Sequence, residues 1–153
     1  MTTDLPRPRE VPPVWLVLSL LVMLGLHFWL PGGVWLRKPW TWSGMAIAAA
    51  AGVLSGSAAS RFQRARTGIK PFSAATTLVT TGAYRWTRNP MYVGLVGITV
   101  GGAIALGTCL PALVPVLLLV LLDRRFVRAE EAFLQQRFGA AYDDYRARVR
   151  RWL

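Results

Sequence analysis

The stretch Thr87-Arg88-Asn89-Pro90-Met91-Tyr92-Val93-Gly94 sets a cation, an amide and a phenol against the start of an apolar run. Asn89-Pro90 reads as a helix start, because Asn can cap free N–H groups and Pro suits the first helical position. That leaves Arg88 and Tyr92. A helix N-terminus carries unpaired N–H groups and positive potential, which suit a carboxylate or phosphate. Arg88 would add a forked donor for the same anion, and Tyr92 lies one turn inside. The chemistry these residues suggest is anion binding. A second reading makes Arg88 a snorkelling contact to lipid headgroups.

A second group follows at 124–138. On a helix, Phe126, Val127, Glu130, Phe133, Leu134 and Phe138 share one stripe, with Glu130 its only acid. A carboxylate on an apolar stripe near a membrane needs a partner. That partner is an arginine from the 61–89 stretch, or a cationic or hydroxyl-bearing ligand. Glu131 is expected beside the stripe in solvent, within reach of Arg128 and Arg124. Arg125 and Arg128 are candidates to bind an anionic headgroup or an acceptor carboxylate.

Several elements must position these groups. The 153 residues are 54% hydrophobic yet carry a formal net charge of +11, which fits an integral membrane protein with a basic face. The basic residues flank apolar spans, so a nucleic-acid partner is not expected. All seven acids fall outside the apolar runs. One cysteine (Cys109) and one histidine (His27) predict no metal site and no intrachain disulfide. The N-terminal stretch holds Asp4 and Glu10 and lacks a clear cleavage site, so the first apolar run is expected to remain as an anchor.

The predicted fold is a single all-α membrane domain with spans at about 14–30, 40–59, 90–108 and 111–123. Spans three and four form a hairpin, and the fourth runs on as one helix to Phe138. Gly139 breaks it before a short basic helix. Gly52-x-x-x-Gly56 and Gly97-x-x-x-Gly101 are close-packing faces that leave room for a homodimer. Gly94, Gly97 and Gly101 are also candidates to line an acceptor entry between the glycine-faced helices. Only Arg37 and Lys38 fall opposite the other basic residues, so both termini are expected in the cytoplasm.

Read together, "LVTTGAYRWTRNPMYVG" (Leu78–Gly94), the hairpin, "AEEAFLQQRFGAAYDDY" (Ala129–Tyr145) and the closing "VRRWL" resemble the isoprenylcysteine carboxyl methyltransferase and phospholipid methyltransferase superfamily of membrane enzymes. The resemblance implies an S-adenosylmethionine-dependent enzyme, with S-adenosylhomocysteine as product. It places the cofactor at the cytoplasmic membrane surface, between segments 70–94 and 124–152. It implies that Asn89 and Tyr92, with Arg88, Tyr84 and Gly94, meet the cofactor, and that Leu78, Val79 and Gly82 lie near its adenosine. Glu130 and Glu131 would close the pocket and carry catalysis. The carboxyl methyltransferases read Arg-His-Pro where this chain has Arg88-Asn89-Pro90. The sequence Asn-Pro-Met-Tyr is nearer the phospholipid branch and bacterial members, which implies an inner-membrane location and a lipid-like acceptor, either a phospholipid amine or an isoprenylcysteine-type carboxylate. Two other classes remain open: a membrane-embedded NADPH-dependent sterol-type reductase and a non-catalytic lipid-binding protein.

Overall fold

A computed structural model of the protein describes residues 11–64 and 77–153, with the backbone alone for 62–64. Asp4, Glu10 and the first part of the expected 70–94 segment lie outside the described residues. Helix α1 (Pro12–Trp29) opens on two prolines and stops before Pro31-Gly32-Gly33, where both glycines take positive φ. Helix α2 (Trp42–Arg64) begins two residues later than the expected second span. Helix α3 (Pro90–Leu106) has Pro90 at its first position and ends on Gly107, whose φ of 66° permits a left-handed cap. The fourth apolar segment is composite. A 3₁₀ turn (Pro111–Leu113) leads into helix α4 (Val114–Leu122), a wide π turn (Asp123–Val127) and helix α5 (Arg128–Phe138). The backbone stays helical from Pro111 to Phe138, as predicted. Gly139 (φ 51°) then breaks it before helix α6 (Ala140–Arg148). No strand occurs among the described residues.

α1 and residues 42–61 of α2 are long and apolar enough to cross a membrane, while α3 is shorter. Only 11% of either apolar stretch is buried within the protein. A core helix of a soluble protein would be covered by its neighbours. Here Val17, Leu21, Val22, Phe28 and Val53 face outward, which fits apolar surroundings such as a bilayer.

α3 is the centre of the bundle. α2 packs along one side of it, and α1 and α4 pack on the other. The α2–α3 seam is made by small residues. A Cβ on Gly94 would come within 2.5 Å of the Ser55 Cβ, one on Gly97 within 2.7 Å of Ala51, and one on Gly101 within 2.5 Å of the Ala48 nitrogen. The Gly97/Gly101 face is therefore consumed inside the chain, and the seam is closed. Gly97 and Gly101 thus serve the close helix packing that their spacing predicts. The Gly52/Gly56 face meets nothing within 4 Å among the described residues.

Two ends are distinct. At one, loop 30–41 is tied to turn 107–111 by the Val34–Thr108 bridge, the Cys109 N–H to Gly33 carbonyl bond and the Trp35 indole on the Thr108 carbonyl. Arg37 and Lys38 belong to this end. The other end gathers residues 77–90, the π turn, α5, α6 and the segment after α6. Tyr92, Leu95, Leu118, Leu122, Phe126 and Val127 form the core beneath it.

Candidate functional site

At that second end, residues 87–89 and 149–151 lie side by side. The Arg88 N–H donates to the Arg150 carbonyl at 2.9 Å, and the Thr87 hydroxyl donates to the Arg151 carbonyl at 2.9 Å. The Asn89 amide donates to the same Arg151 carbonyl at 3.1 Å. The Arg88 guanidinium reaches the carbonyls of Arg146 (3.2 Å) and Val149 (2.9 Å). The Asn89 side chain therefore does not cap α3, contrary to the sequence expectation. It is spent on the later segment.

Glu131 is the hub of this clasp. Arg88 Nε donates to its Oε1 at 3.0 Å, and Arg151 binds its Oε2 through Nε (3.0 Å) and Nη2 (2.7 Å). Asn89 Nδ2 adds a long bond at 3.4 Å. Burial opposes ionisation of Glu131, but the two guanidiniums outweigh it and hold the carboxyl below the usual range. The side chains of Arg88 and Asn89, just before α3, thus hold a carboxylate that is the protein's own. The expectation of a solvated Glu131 beside Arg128 is corrected. The π turn before α5 widens the helix and rotates its inner face, so that Val127, Glu130, Glu131 and Leu134 all point inward. Arg128 instead pairs with Asp123 at 2.8 Å, within its own turn.

Beside the clasp lies a cavity of about 370 Å³, in the range of roughly 300–1,000 Å³ usual for small-molecule sites. Tyr84, Tyr92, Tyr142 and Tyr145 supply aromatic walls, and Leu78 and Val79 close one side. Its apolar end runs past Ser55, Met91 and Leu95 to Val11 and the two prolines that open α1. Glu130 projects into the polar part. The Tyr92 hydroxyl donates to its Oε2 at 3.0 Å. Among the described residues, no basic side chain forms an ion pair with it. Burial pushes the Glu130 carboxyl above the usual range; the Tyr92 hydrogen bond opposes this, and the Glu131 charge adds to it. The proton affinities of the neighbouring acids thus shift in opposite directions. The Tyr142 hydroxyl is buried without a hydrogen-bond partner among the described residues, and burial pushes its pKa up to about 12.

The structure brings Leu78, Val79, Tyr84, Arg88, Asn89, Tyr92, Glu130 and Glu131 to the cavity wall. Four other candidates lie elsewhere. Gly94 faces α2, where a side chain would strike Ser55. Gly82 belongs to a neighbouring groove, beneath Arg61. Arg125 lies over the Trp15 ring at 5.8 Å, and Arg128 is exposed on Asp123. Neither arginine lines the cavity that holds Glu130. Sequence reasoning missed Arg151, Thr87, Tyr142 and Tyr145. The basic-aromatic pair Arg151-Trp152 in the closing stretch was the available signal, but no local spacing links it to Glu131.

Outward-facing apolar helices with a lined cavity at one end fit a membrane protein with a small-molecule site. The family model for phospholipid methyltransferase matches residues 39–141, about two thirds of the chain, and the protein belongs to that family. The match covers α2 through the start of α6. It favours methyl transfer at a membrane over the reductase and non-catalytic readings. No curated protein and no solved structure matches the chain.

Proposed function

We propose that the protein transfers a methyl group from S-adenosylmethionine to the amine of a phospholipid-like acceptor, in the cavity bounded by α3, α5 and α6. The observation that carries this reading is Glu130: a carboxylate in a small-molecule cavity, held by one tyrosine and by no described cation. The lining of the cavity supports this cofactor. An organic cation with an ammonium group suits an uncompensated carboxylate and the faces of four tyrosines. The orphaned Tyr142 hydroxyl offers one more hydrogen bond.

When bound, S-adenosylmethionine supplies a methyl group on a positively charged sulfur. The chain's residues supply the rest. The clasp of Arg88, Glu131 and Arg151 fixes the wall that carries Glu130. The tyrosines exclude water and favour positive charge. Glu130, with its raised proton affinity, accepts the proton that the amine loses as the nitrogen–carbon bond forms and the sulfur–carbon bond breaks. A carboxylate acceptor would need no base and would meet the Glu130 charge, which favours the amine over an isoprenylcysteine-type carboxylate. The apolar end of the cavity, between the start of α1 and Ser55 of α2, provides the path for lipid chains. The end with the site faces the cytoplasm in a multi-pass inner-membrane arrangement, since its described basic residues far outnumber Arg37 and Lys38 opposite.

Calorimetry on detergent-purified protein tests the cofactor assignment, with S-adenosylhomocysteine and NADPH as ligands. Saturable binding of S-adenosylhomocysteine alone is expected. Binding of NADPH alone would return the protein to the reductase class, and binding of neither by folded protein would leave a non-catalytic lipid binder.

A further inference from the structure

A second cavity, an open groove of about 750 Å³, lies behind the wall formed by residues 77–82. Its lining is polar and cationic, with Arg61, Arg85 and Arg148 around the hydroxyls of Thr80 and Thr81. All three arginines are exposed, and none forms an ion pair among the described residues. Methyl transfer as described above uses none of them.

The groove is held in shape. Arg61 lies against Gly82, whose φ is 67°, and a Cβ there would fall 2.5 Å from the Arg61 Cζ. The Arg61 Nη1 reaches the Thr81 hydroxyl at 3.4 Å. On the other side, the Tyr145 hydroxyl donates to the Tyr84 carbonyl at 2.7 Å, and the Val149 carbonyl takes a bond from Arg88. Its depth relative to lipid is also marked. Arg61 is the last residue of the apolar stretch of α2, and Trp86 on the groove's lining is 79% exposed. Arginine at a span end and an exposed tryptophan belong at the headgroup level.

We infer that this groove binds the phosphate of an anionic phospholipid headgroup, at a site separate from the methyl-transfer cavity. Three guanidiniums without acidic partners among the described residues match a phosphate with net negative charge. Guanidinium forks pair with phosphate oxygens in two parallel bonds. The threonine hydroxyls supply donors to the same oxygens or to a polar headgroup. The inference does not rest on the methyltransferase reading, because no residue of the groove other than Tyr145 borders that cavity.

The test is calorimetric titration of the full chain in non-ionic detergent with dioctanoyl phosphatidylglycerol, dioctanoyl phosphatidylcholine and inorganic phosphate. Saturable binding of phosphatidylglycerol is expected, tighter than that of the other two probes. R85Q/R148Q should weaken it at least about tenfold, with S-adenosylhomocysteine binding unchanged. If the double variant fails to fold, R85Q alone, at an exposed position, should still weaken binding about threefold. Absent phosphatidylglycerol binding, unchanged affinity in the folded variants, or equal binding of phosphatidylcholine or inorganic phosphate would overturn the assignment.

Discussion

Arg88 and Glu131 are 43 positions apart and form an ion pair of 3.0 Å in which each side chain is only 10% exposed. The pair joins the residue that precedes α3 to the first turn of α5, and Arg151 closes it from the following segment. Removing one partner of a buried pair strands the other charge, typically at about 3–5 kcal/mol. E131Q should therefore lower the thermal midpoint in detergent markedly, with a loss of about 3 kcal/mol. R151Q should cost less, because the Arg151 side chain is 37% exposed and water screens its charge. Equal losses in the two variants would contradict this ranking.

Glu130 and Glu131 should respond to pH with opposite sign. The folded Glu131 has a lowered pKa, so its stabilisation is full above the ordinary carboxylate value of about 4.3 and is lost as pH falls through the lowered one. The folded Glu130 has a raised pKa, so its contribution is full below about 4.3 and is lost as pH rises through the raised value. At neutral pH E130Q should be at least as stable as the parent while losing methyl transfer. Parent activity should climb with pH as Glu130 ionises. Thermal unfolding and turnover across pH 4–9, a range of about two ordinary carboxylate-to-neutral intervals, check both; an unchanged rate in E130Q removes it from the chemistry.

Much of the bundle was legible in the sequence. Pro12-Pro13, Pro31-Gly32-Gly33 and Asn89-Pro90 mark helix boundaries through local backbone chemistry, and the structure places ends at or near each of them. The continuous helix from span four to Phe138 was legible too, since no breaker interrupts it. What could not be read was the π turn at 123–127, which carries no glycine or proline and shifts the inner face toward Glu131. Nor could local pattern reveal that Arg151 and Asn89 meet, because that contact spans 62 positions. The residues at the α3 N-terminus were rightly singled out as polar and convergent. Arg88 and Asn89 hold a carboxylate of the chain itself, Glu131.

Tyr142 offers a separation of ligand binding from folding. Its hydroxyl is buried and unpartnered among the described residues. Removing an unsatisfied buried hydroxyl is near neutral or mildly stabilising. Y142F should therefore keep the parent's thermal midpoint and bind S-adenosylhomocysteine about three- to tenfold more weakly, the loss of roughly one hydrogen bond. Calorimetry decides it, and unchanged affinity would place the ligand away from α6.

The α2–α3 seam predicts a contrast among glycines. G94A and G101A each drive a methyl group into backbone or Cβ atoms of α2 and should destabilise by about 1–3 kcal/mol. G52A and G56A meet open space among the described residues and should be neutral or gain slightly from helix propensity. Thermal scans of the four variants check the order; a large loss in G52A or G56A would instead reveal a partner on that face.

The clasp also bears on how the molecule reaches its final shape. Its hydrogen bonds join Arg88 to Glu131, Tyr84 to Tyr145 and Thr87 to Arg151, separations of 43, 61 and 64 positions. The α3–α4 hairpin, by contrast, is closed by the short turn at 107–111. Contacts between distant positions require larger loops to close and form against a steeper entropic cost. The cavity is thus expected to assemble after the α3–α4 hairpin, an order that hydrogen exchange of the two regions would check. A lesion in the clasp is expected to open the chamber while the helix seams, built from contacts elsewhere, persist.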